Sequence, residues 1–85
     1  MRGDTLDGEA QMTALDHLRA ATNRCAKYSG DDGAVVYIML APKGPLIVAS
    51  KGPYRADRYV PWDEIGPDMP SLVDGVRREL MLQMR

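Results

Sequence analysis

His17 and Cys25 are the single histidine and single cysteine of this 85-residue chain, and a thiol beside an imidazole is the simplest nucleophilic pair it could build. Eight positions apart on one helix, they sit about 80° around the axis and two turns along it, too far for a direct hydrogen bond. Cys25 therefore reads as a small buried hydrophobe and His17 as a surface or boundary residue. One His and one Cys cannot complete a structural zinc site, and Asp31-Asp32-Gly33 is too short for a calcium loop. Asp63 and Glu64 are adjacent, but nothing in the sequence supplies the burial or spacing of a general acid/base pair. Lys43-Gly44-Pro45 and Lys51-Gly52-Pro53 lack the further glycines and the Lys-Ser/Thr of a phosphate loop. Their flanks differ, so they read as two turns and not as a repeat. The expectation is no enzyme, no metal and no cofactor.

Binding chemistry is better represented. The net charge of −1 hides an uneven distribution: residues 33–62 carry four basic side chains and one acidic, a net of +3, between two segments of −2. Within that stretch Lys51, Tyr54, Arg55, Arg58 and Tyr59 have the types needed to hold single-stranded nucleic acid, cations for phosphates and rings for bases. Lys43 belongs to the same charge cluster, yet it stands roughly 20 Å or more from Lys51 along a strand. A mildly acidic protein also lacks the usual basic footprint, so nucleic acid is the alternative reading. Arg2-Gly3-Asp4, at a terminus expected to fray, is too short a match to carry an adhesive function.

These residues must be held by something, and the strongest element signal is Ala34 to Ser50. Two apolar, β-rich runs, Ala34–Ala41 and Leu46–Ser50, flank Pro42-Lys43-Gly44-Pro45 and predict a β-hairpin. Pairing Ala41 with Leu46 across a four-residue turn puts Val36, Ile38, Leu40, Ile47 and Ala49 on one face. Val35, Tyr37, Met39, Leu46, Val48 and Ser50 then share the other. Both faces are apolar, whereas a sheet with one solvated face alternates apolar and polar.

Around the hairpin, residues 1–9 are polar and read as a flexible arm, with residues 10–85 forming the one domain. Leu15, Leu18, Ala21, Cys25 and Tyr28, widened by Ala14, predict a helix near 10–28. Asp7 or Thr13 would start it and Gly30 would end it. Tyr54–Val60 predicts a short third strand at the sheet edge, where charges discourage aggregation. Four breakers in 61–70 leave room for one turn at Trp62–Ile65, with Trp62 and Ile65 folding back on the core. Leu72 or Val73, Val76, Leu80 and Met84 predict a final helix near 71–84, weakened by Gly75. The six methionines read mainly as core gap-fillers.

The result is a small two-layer α+β domain with an expected radius of gyration of about 12 Å. No apolar run approaches the roughly 20 residues of a membrane helix, so no membrane partner is expected. The lone cysteine favours a reducing, cytoplasmic setting. Two helices on one side of three strands leave an apolar face uncovered. A protein-binding or assembly module is therefore expected, most simply a homodimer meeting through Tyr37, Met39, Leu46 and Val48.

Overall fold

The computed structural model describes residues 2–29 and 33–85, with side chains from residue 14 onward. Along the chain lie α1 (Arg2–Tyr28), β1 (Val35–Ala41), β2 (Gly44–Lys51), β3 (Tyr54–Tyr59), a 3-10 turn (Trp62–Glu64) and α2 (Met69–Gln83). The strands form one antiparallel sheet in the order β1-β2-β3, which with the two helices makes the α+β domain.

Two Gly/Pro turns set the sheet. Between β1 and β2 the turn has two residues, Pro42 and Lys43, because Ala41 pairs with Gly44 and not with Leu46. The register sums therefore differ by two from the expected one, and Gly44 and Pro45 belong to the strand. An even slip leaves every side chain on its face, so the expected face assignment stands although the pairing does not. Between β2 and β3, Gly52 takes a φ of +58° ahead of Pro53, the arrangement of a tight type II′ hairpin.

Helix α1 begins at Arg2 and not near residue 10. The backbone of residues 2–9, expected as a flexible arm, is thus the first part of α1, while the side chains through residue 13, with the expected caps Asp7 and Thr13, lie outside the described residues, as does Gly30. At its far end Ser29 N–H donates to Cys25 O at 3.0 Å, closing the last turn. At 1.5 Å per residue α1 spans about 40 Å. That length explains a long axis of 54 Å and a radius of gyration of 14.5 Å, above the value expected from chain length alone.

Both helices pack on the same face of the sheet, α1 against β1 and α2 across β2 and β3. Ala21 and Cys25 of α1, Val36, Ile47, Ala49 and Ala56 of the sheet, and Met69, Val73, Val76 and Leu80 of α2 form one buried cluster. Fully buried side chains such as Ile47 and Leu80 each contribute about 1.5–3 kcal/mol on leaving water. Leu15, expected on the buried stripe, is instead exposed, while Leu18, Ala21 and Cys25 of the same stripe pack inward. Met69 joins the core, whereas Met39 and Met81 lie at the surface. α2 starts two residues early since Pro70 falls in its first turn, where a missing N–H costs nothing.

The 61–70 segment returns to the first turn. Val60 N–H donates to Pro45 O at 2.9 Å and Trp62 N–H to Lys43 O at 3.2 Å, extending the sheet pairing beyond β3. Trp62 Nε1 donates to Pro42 O at 2.9 Å. Trp62 is thus a half-exposed clip over the hairpin turn and not a core plug, while Ile65 does pack on the core.

Candidate functional site: the open face of the sheet

Alternation along the strands places Val35, Tyr37, Met39, Leu46, Val48, Ser50, Arg55, Asp57 and Tyr59 on the face opposite both helices. Cross-strand pairs Tyr37–Val48 and Met39–Leu46, extended to Tyr59 through Leu46, bring the four expected partner-binding residues together. Exposure divides them. Tyr37 keeps 38% of its surface, Met39 49% and Tyr59 42%, while Val48 keeps none. Val48 lies outside the main buried cluster, so its neighbours on the open face cover it. A partner would touch Tyr37, Met39 and the half-buried Leu46 with Val35 and Tyr59, and Val48 would support them from below. The signal for Tyr59 was present in the sequence as the third strand's alternation, but only the β2–β3 register assigns it to this face.

The five residues with nucleic-acid chemistry do not share a surface. Arg55 and Tyr59 stand on the open face, whereas Lys51, Tyr54 and Arg58 belong to the helix-bearing side. Arg55 Nε also pairs with Asp57 Oδ2 at 3.3 Å. Tyr54 and Tyr59 are exposed.

On the other side of the sheet, the polar chemistry is concentrated where α1 meets α2. Asp74 accepts from Arg24 Nη1 and, at 2.6 Å, from the Tyr28 hydroxyl, while the Arg77 guanidinium lies 4.5 Å from the centre of the Tyr28 ring. Burial alone would raise the Asp74 carboxyl, but the hydrogen bonds from Tyr28 and Arg24, with the charges of Arg24 and Arg78, hold it below its ordinary value. The same bond to Asp74 raises the Tyr28 hydroxyl. Asp74 accepts from both Arg24 and Tyr28 across the helix pair, so the group reads as a clamp between helices. Cys25 is buried and its thiol is pushed up to about 11 by that burial, which leaves it protonated and unreactive at neutral pH.

A cavity of about 200 Å³ lies between β3 and α2, lined by Asp57, Arg58, Ser71, Leu72, Gly75, Val76 and Glu79. It is smaller than the roughly 300 Å³ at which small-molecule sites begin. Among the described residues no group of three or more His, Cys, Asp or Glu could hold a metal ion. No helix among them is long and apolar enough to cross a membrane. Compared with models of protein families, with curated proteins and with solved structures, the chain matches none.

Proposed function

We propose that the chain is a non-enzymatic protein-binding or assembly module of the cytoplasm that self-associates through the open face of its sheet. The observation that carries this reading is a contiguous patch of Val35, Tyr37, Met39, Leu46 and Tyr59 on the side that neither helix covers. A second copy is the simplest partner, because a two-fold axis presents the same patch on both sides. At the rim, Arg55 and Asp57 carry opposite charges that a two-fold mate can meet reciprocally. The lone, buried Cys25 suits a reducing compartment. Single-stranded nucleic acid ranks second, since its candidate residues are divided between two sides of the sheet.

Light scattering tests the proposal with the parent and with Tyr37→Asp combined with Tyr59→Asp, two exposed positions. The parent is expected to exceed the monomer mass at micromolar concentration and the double variant to lose that association while keeping its circular dichroism. A parent that stays monomeric, or a variant that associates unchanged, rejects the open face as the interface.

A further inference from the structure

The two edges of the sheet are not alike. On β3 the outward backbone groups of Arg55 are capped by one side chain: Gln83 Oε1 accepts from Arg55 N–H at 3.3 Å and Gln83 Nε2 donates to Arg55 O at 2.8 Å. That strand also carries Arg55, Asp57 and Arg58, charges of the kind that keep edges apart. β1 has neither device along most of its length. Its sequence, Val-Val-Tyr-Ile-Met-Leu-Ala, contains no charge and no proline.

The direction of the β1 backbone groups follows from two bonds at its start. Ser29 Oγ lies 3.2 Å from Val36 O and 3.4 Å from Val36 N, so both polar groups of Val36 point away from β2. In an antiparallel strand the direction alternates, so those of Ile38 and Leu40 point the same way. Val60 N–H bonding to Pro45 O agrees, because it assigns Pro45 and Ile47, the partners of Leu40 and Ile38, to the β3 side. Among the described residues nothing bonds to the outward N–H and C=O of Ile38 or Leu40. Beside them Leu40 is the most exposed of the described large hydrophobic residues, at 71%.

We propose that β1 pairs edge to edge with β1 of a second copy, antiparallel about a two-fold axis at Met39, making one six-stranded sheet. The register is forced. Pairing Ile38 with its own copy would set Leu40 against Val36, whose groups Ser29 already occupies. Pairing Leu40 with its own copy would set Ile38 against Pro42, which has no N–H. Only Ile38 against Leu40 of the copy, taken both ways, satisfies all four outward donors and acceptors on each chain. That register also lays Leu40 beside the half-buried Ile38 of the other copy, on the helix side of the sheet. Edge pairing uses the outward backbone groups of β1, so it can form without the open-face contact proposed above, although it sets the two Met39 side chains side by side on that face.

The test follows amide hydrogen exchange and solution mass together across a concentration series, on the full chain. Edge pairing predicts that the Ile38 and Leu40 amides, unbonded in a monomer, become protected by at least about tenfold as association proceeds. Leu40→Pro removes an edge N–H that β2 does not use, and is expected to abolish both this protection at Ile38 and the edge-dependent mass. Tyr59→Asp, on β3 with β2 between it and β1, is expected to leave the protection intact. Ile38 and Leu40 amides that exchange as fast as Gly52 in the associated parent overturn the edge pairing, as does a parent that never associates. Protection that survives Tyr59→Asp while mass is unchanged rejects the open-face reading and retains this one. Loss of mass with Tyr59→Asp, with Ile38 and Leu40 unprotected throughout, does the reverse.

Discussion

Asp74 shows what one side chain does when two helices meet over it. With Arg24 and Tyr28 donating to it, the carboxylate ties the last turns of α1 to the first turns of α2, although Arg24 and Asp74 keep 37% and 29% of their side-chain surface exposed. A carboxyl held below its ordinary value of 3.8 adds stability that is complete above that pH and is lost as pH falls through the depressed folded value. Asp74→Asn is therefore expected to lower the urea midpoint at pH 7, modestly because exposed pairs are screened. The difference from the parent is expected to narrow steadily below pH 3.8. A difference that stayed constant down the acid range would show that the clamp does not act through the ionised form.

At the level of elements, the hairpin turns depend on glycine for different reasons. Gly44 has a φ of +149°, and a Cβ there would stand 2.1 Å from Val60 O, where the returning chain crosses the strand. That obstacle is backbone, in a segment held on both sides by Val60 N–H donating to Pro45 O and Trp62 N–H donating to Lys43 O, and cannot step aside. Gly52 also has a positive φ, but a Cβ there would meet nothing within 4 Å. Gly52→Ala is expected to cost about 1–2 kcal/mol, the strain of the left-handed region alone. Gly44→Ala adds a steric clash and is expected to cost more than roughly 3 kcal/mol in urea unfolding. Equal costs would mean that the Val60–Trp62 crossing is loose and that only backbone strain counts.

For the whole molecule, the sheet divides an inner face under two helices from an outer one that caps itself in part. Val48 belongs to the outer face by register and to the interior by exposure, so a charge there would be buried without a partner. Val48→Asp is expected to destabilise by more than about 4 kcal/mol and to unfold so small a domain, whereas Tyr37→Asp is expected to cost about 1 kcal/mol. Thermal melts followed by circular dichroism distinguish the two. A folded Val48→Asp would mean that its neighbours swing aside and that Val48 itself is open to a partner.

By itself, the sequence determined the order of elements, the edge position of the third strand and the two faces of the hairpin. Apolar spacing and the Lys-Gly-Pro turns are local signals, and a face assignment survives any even slip in register. It also placed Cys25 inside, as the narrow stripe of α1 implied. Tertiary structure decided the rest. Pro42 and Lys43 make the whole turn because Val60 and Trp62 return over Gly44, a contact between chain segments about sixteen residues apart. Leu15 is exposed and Val48 buried because each depends on what lies above it. Periodicity reports which way a side chain points and not what it meets. The difference between the edges, with Gln83 closing β3 while Ile38 and Leu40 stay open on β1, is likewise invisible in the chain, since a backbone edge is defined only by what packs beside it.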